Sequence, residues 1–181
     1  MKKLLLLALI SISAFGIDFK NEMEKYSYSL GYAGGIELVN LYGIKLDLTA
    51  YSQGYKEALL KVNFSDDLKT NIKQAEEFDK IGNRKTAIFQ EYELNKDNLS
   101  PSLIVELSYA EGYRHGGGHK LIADGWKIKN IEEVLDTEAY LQGIKDYFDG
   151  KDSLTNTEII ENSQIFLQSI FDKSPIPKSE E

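Results

Sequence analysis

The chain has no cysteine, so no disulfide holds the fold together and no thiolate is available as a nucleophile. Proline occurs only at Pro101, Pro175 and Pro177, which leaves most of the length free to be helical without interruption. Clustered cations are missing too: 21 Lys and Arg stand against 29 Asp and Glu, a formal charge of −8. Nucleic acid and anionic lipid both reward basic clusters, so neither is favoured as a partner. Alternating strand patterns bounded by turn dipeptides are scarce, and no G-x-S-x-G elbow exists, which argues against serine-hydrolase chemistry.

Long apolar runs are limited to Leu4 to Ile12, preceded by Lys2 and Lys3 and followed by Ala14-Phe15-Gly16. This run has the charge, length and cleavage pattern of a secretory signal. It is too short to span a bilayer, which needs about 20 residues. The expectation is an exported protein, periplasmic or secreted, with 1–16 as its signal, no lipoprotein cysteine and no membrane span.

What the chain has in quantity is apolar and aromatic surface: 42% hydrophobic residues, with 11 Tyr and 8 Phe. Met23, Tyr26, Leu30, Ala33, Leu38 and Leu41 fall at helical spacing, with Gly43 where a helix ends. Asp47 reads as the cap of a second helix striped by Leu48, Tyr51, Tyr55, Ala58 and Leu59, and Ser65 as the cap of a third that carries Leu68, Ile72, Ala75 and Phe78. Ser100-Pro101 starts a fourth helix running to about Ala123. Asp136 caps a fifth that stops at Gly150, and Thr155-Asn156-Thr157-Glu158 forms a capping box for a sixth. Gly31, Gly34 and Gly35 lower the propensity of the first helix by about 1 kcal/mol each relative to Ala. That cost implies another backbone packed closely against it.

The six helices form two copies of one pattern. Ser27-Tyr28-Ser29-Leu30-Gly31-Tyr32 matches Ser108-Tyr109-Ala110-Glu111-Gly112-Tyr113, and Asp47 to Gly54 matches Asp136 to Gly143 through shared Asp, Ala, Tyr, Gln and Gly. Extra residues around Asn130 to Leu135 widen the offset between the copies, so the gap lies in a connection. A duplication follows. The fold class read here is all-α: two tandem three-helix units, 17–98 and 99–173, with a disordered tail over 174–181. The residues assigned to helix packing or a dimer seam are Tyr28, Gly31, Tyr32, Gly35, Tyr51, Gly54, Tyr55, Tyr109, Gly112, Tyr113, Gly116, Tyr140 and Gly143.

Tyr28-Ser29-Leu30-Gly31-Tyr32, Gly43-Ile44-Lys45-Leu46-Asp47, Ala50 to Leu59 and Phe64-Ser65-Asp66 together resemble the helical domain that precedes FKBP-type peptidyl-prolyl isomerase domains in bacterial envelope proteins. The second copy resembles it through Tyr109 to Gly112, Gly125-Trp126-Lys127-Ile128, Ala139 to Asp146 and Leu154-Thr155-Asn156. The resemblance implies an intertwined helical dimer, or here an intramolecular pseudo-dimer, and the holding of unfolded envelope proteins in protein folding. It does not carry isomerase activity across, because a second helical copy stands where that family has its β-rich catalytic domain. Trp126 lies in a link matching Ile44 and is read as packing, not as that domain's pocket tryptophan. No catalytic residue and no cofactor is assigned, and an accessory or degenerate isomerase is the enzymatic alternative.

Gly116-Gly117-Gly118 between His115 and His119 is the most unusual local sequence. On a continuous helix Glu111, His115 and His119 share one face at i, i+4 and i+8, a minimal set for a divalent metal or small ligand. The competing reading is that the glycines weaken or bend the helix where a neighbour packs, while the histidines cover an exposed flank.

Overall fold

The computed structural model describes residues 18–61, 99–151 and 154–175, with scattered residues between 73 and 94. Five α-helices and no strand occur among them: α1 (Glu22–Tyr42), α2 (Leu48–Lys61), α3 (Pro101–Gly125), α4 (Thr137–Phe148) and α5 (Asn156–Lys173). The protein is all-α. No helix among the described residues is long and apolar enough to cross a membrane. The signal over 1–16, the third helix capped by Ser65 and most of the tail lie outside the described residues; Lys73, Arg84 and Ile88 are helical.

Local chemistry places the helix ends. Gly43 stops α1 in the left-handed region at φ 66°, where its N–H reaches the Val39 carbonyl at 2.7 Å. A side chain is strained there and glycine is not. Asp47 Oδ1 accepts from the Ala50 N–H at 2.8 Å, and Asp136 Oδ1 from the Ala139 N–H at 2.9 Å. Ser100 caps α3 with proline at its first position. The Thr155–Glu158 capping box is complete. A short 3-10 turn, Ile131–Glu133, occupies the extra residues of the second link and buries Ile131.

The helices do not pack in chain order. α1 lies along α4 and α5, and α2 lies along α3, whereas α1 with α2 and α3 with α4 make little contact. Both described helices of the first half therefore rest on helices of the second. Glycines set the approach. A Cβ placed on Gly31 would stand 1.8 Å from the Tyr140 carbonyl oxygen, and one on Gly143 would stand 2.1 Å from that of Tyr28. The other pair repeats this: Gly54 against the Tyr109 oxygen at 2.1 Å and Gly112 against the Tyr51 oxygen at 2.0 Å. Gly116 meets the Tyr55 oxygen in the same way, and Gly35 packs on the Tyr147 ring. At these crossings backbone touches backbone, the close approach that small residues permit.

The rings fill the space beside the crossings. Tyr28, Tyr32, Tyr51, Tyr55, Tyr113, Tyr140 and Phe148 are buried, and Tyr109 is half-buried. One large cluster joins Tyr51, Tyr55, Leu38, Leu107, Leu135 and Ile144 across all the helices. Tyr28 and Tyr32 form a second cluster with Ala139, and Tyr113 a third with Ala58. The aromatic stripes are core.

The glycines separate by position. Gly112→Ala is expected to cost about 3 kcal/mol, because the added carbon overlaps a backbone oxygen that cannot rotate away. Gly118, with nothing within 4 Å, is expected to gain about 0.5–1 kcal/mol as alanine from helix propensity. Urea unfolding of the two variants measures both.

Candidate functional site

Polar groups are built into the crossings as equivalent pairs. The Asp47 N–H donates to Ser108 Oγ at 2.8 Å, and the Asp136 N–H to Ser27 Oγ at 2.9 Å. Ser27 and Ser108 are fully buried, and each ties one half's helix entry to the other half's first helix. The Tyr28 hydroxyl donates to Asp146 Oδ2 at 3.0 Å, and the Tyr109 hydroxyl to Glu57 Oε2 at 2.8 Å. Lys61 and Tyr109 hold the Glu57 carboxyl below its ordinary range. The serines and carboxylates were not among the residues singled out in the sequence. Their signal was there, since Ser27 and Ser108 occupy the same place in the repeat.

The centre of the molecule is less symmetric. Glu111 is fully buried; one carboxylate oxygen accepts from the Tyr42 hydroxyl and the other pairs with Arg114 Nε at 2.8 Å. Arg114 also reaches Glu37 on α1 at 3.3 Å. Burial pulls the guanidinium down, and its two glutamates outweigh that to leave it above its usual value. His115 Nδ1 lies 2.5 Å from the Tyr51 hydroxyl and 3.3 Å from that of Tyr140, and those two hydroxyls are 3.2 Å apart. His119 Nδ1 lies 2.7 Å from the Tyr55 hydroxyl. Its ring stands edge-on to Tyr55 and Tyr140, with Phe166 beyond.

This geometry corrects one part of the expectation for the histidine segment, the bend at the glycines. α3 runs unbroken through the three glycines, because Gly112 and Gly116 receive the α2 backbone and need no bend to do so. The histidines are partly buried and line an open pocket with Leu30, Glu37 and Ile122; each turns its Nδ1 toward a tyrosine hydroxyl, and His115 Nε2 lies 2.5 Å from an Arg114 guanidinium nitrogen. Glu111, His115 and His119 share a helix face yet each is taken by a different hydroxyl, and no group of three possible metal ligands occurs among the described residues. Trp126 is part exposed and packs edge-on against Phe171 at 6.2 Å.

Burial sets the acid–base character of the cluster. It raises the Tyr42, Tyr51, Tyr55 and Tyr140 phenols well above their ordinary range, with Glu111 adding to the effect on Tyr42 and Tyr140 adding to that on Tyr51 and Tyr55. It pushes the His119 imidazole down to about 4. These four phenols and the His119 imidazole are thereby held in their neutral forms around neutral pH. The cluster is suited to holding helices in register.

Outside the core, two open grooves carry apolar floors. One, of about 430 Å³, is floored by Met23, Leu59, Leu60 and Leu135 and rimmed by Glu132 and Glu138. The other, of about 420 Å³, is formed by Ala50, Ile88, Val105 and Ala110 beside Arg84 and Glu106. Leu60 is 87% exposed, so the first groove opens onto solvent through a bare leucine.

His119 gives the protein a defined pH response. Its folded pKa lies below the unfolded value of 6.5, so the unfolded chain binds the extra proton and stability falls as pH drops from about 6.5 toward 4. Between pH 7 and pH 5 this amounts to about 2 kcal/mol. His119→Leu should lose that part of the slope, which chemical denaturation at the two pH values reads directly.

Compared with known protein families, curated proteins and solved structures, the chain matches none of them.

Proposed function

We propose that the protein is a non-catalytic, exported helical scaffold that holds unfolded client segments in protein folding, built as an intramolecular pseudo-dimer. The observation that carries this reading is the crossed pairing: α1 on α4 and α2 on α3, with glycine meeting a tyrosine carbonyl in both halves. The same residues carry the resemblance to the helical module of FKBP-type isomerases, where intertwining is expected between two chains. One polypeptide with two copies supplies both partners itself.

Client holding is supported by the outer surface. The tyrosine stripes are used up in the core, and the first groove offers a partner the bare Leu60 beside the partly buried Leu59; other apolar side chains are exposed outside the grooves, at Leu41, Ile160 and Leu167. Lys56 in the first groove is paired with Glu138, which leaves Glu132 and the chain's overall charge of −8 to set the sign of the rim. Extended segments with apolar side chains flanked by Lys or Arg fit that chemistry. Sequestration of such segments needs neither a cofactor nor an acid–base pair.

Sedimentation of the chain without its first 16 residues should give one species at one-chain mass. With a chemically unfolded, lysine-rich client, the protein should reduce light scattering in proportion to its concentration and leave a proline-limited refolding phase at its spontaneous rate. Leu60→Asp should weaken the first effect without shifting the melting temperature, since the side chain is exposed. Faster proline-limited refolding would favour the accessory-isomerase alternative. No effect on scattering would remove client holding.

A further inference from the structure

Where the two halves match in sequence they differ at five central positions. Leu30, Gly34 and Leu38 of α1 correspond to Glu111, His115 and His119 of α3, while Tyr42 and Tyr55 correspond to Ala123 and Ile144. The polar groups are divided unevenly. The carboxylate and both imidazoles stand on α3, and the hydroxyls that engage them come from Tyr42 on α1 and from Tyr51 and Tyr55 on α2. The mirror contacts are apolar or empty: Leu38 and Ile144 share the main core cluster, and Gly34 faces the Tyr140 hydroxyl with only a hydrogen.

We infer that this uneven division is a pairing code: the face formed by Tyr42, Tyr51 and Tyr55 takes a helix bearing Glu-x-x-x-His-x-x-x-His, so each half accepts its unlike half and rejects a second copy of itself. The inference rests on the pseudo-dimer reading and adds the identity of the partner each half selects. If two first halves paired, Tyr42 would lie against Leu30 and Tyr55 against Leu38, two buried hydroxyls facing hydrocarbon; only Tyr51 would find its twin. If two second halves paired, Glu111 would face Ala123 and His119 would face Ile144. A buried carboxylate would then lose its hydroxyl donor, and an imidazole would lose its hydroxyl partner. Desolvated polar groups without partners are what make a wrong pairing unfavourable. The glycine crossings cannot discriminate, because both halves carry them. A symmetric relative with apolar residues at the Glu111, His115 and His119 positions would be rejected by the first half on the same grounds.

The test uses the full chain with a protease site inserted ahead of Ser100, cleaved and with both fragments retained. The fragments are unfolded in urea, refolded together and weighed by native mass spectrometry. The wild-type pair should re-form a single species containing one of each fragment. Glu111→Leu, His115→Gly and His119→Leu together place the first half's residues in the second, and this variant should also yield pairs of two second halves. Tyr42→Phe with Tyr55→Phe removes the hydroxyls and should yield pairs of two first halves, which keeps the test open if the triple variant does not refold. Like pairs from wild-type fragments, in the proportions of random combination, would overturn the code while leaving the pseudo-dimer standing. Fragments that stay folded and separate would remove the pseudo-dimer itself.

Discussion

The structure depends on backbone meeting backbone at the glycine crossings. Helices normally keep 8–10 Å between axes because side chains separate them. Here Gly31, Gly54, Gly112 and Gly143 remove the side chain on one side of each contact, and a tyrosine carbonyl of the opposing helix occupies the space. Once the backbones are this close, the neighbouring side chains have few choices. The tyrosine whose carbonyl is in contact points its ring along the interface, and its hydroxyl must find a partner within the core. Asp146 and Glu57 serve Tyr28 and Tyr109, and the histidines serve Tyr51 and Tyr55.

The crossings also decide connectivity. A three-helix unit usually folds on itself, with sequential helices as neighbours. In this chain α1 and α2 make little contact with each other and pack on the second half, so among the described residues the core is shared between the halves. The buried serine contacts make the same point. Ser27 and Ser108 each accept from the helix cap of the opposite half, an arrangement that gives the N-cap aspartates two tasks: starting their own helix and, through the backbone N–H, fastening it to another.

Much of this was legible in the sequence. The ends of α1, α3 and α4 followed from Gly43, Ser100-Pro101 and Asp136, because capping is local chemistry. The all-α class followed from periodicity and the near absence of proline. The cost of glycine inside α1 announced a close neighbour, but not which one; the partner of Gly31 is Tyr140, 109 positions away, and nothing local encodes that distance. The histidine segment misled for a related reason. Helical spacing puts Glu111, His115 and His119 on one face, and spacing alone cannot say whether that face meets solvent, a metal or a row of hydroxyls. Tyr42 carried no signal of its role as a partner for Glu111, since its counterpart in the repeat is Ala123. Ser27 and Ser108 could have been found, had a repeated polar residue beside a repeated tyrosine been weighed as a contact.

The central claim is that each half's glycines touch the other half's tyrosine backbone within one chain. Isotope-filtered NOE spectra on a mixture of labelled and unlabelled protein test it most directly. Cross-peaks from Gly31 to Tyr140 and from Gly112 to Tyr51 should appear in uniformly labelled protein and vanish from the spectrum that selects contacts between differently labelled chains. Cross-peaks that survive the filter, or that link α1 to α2 instead, would contradict it.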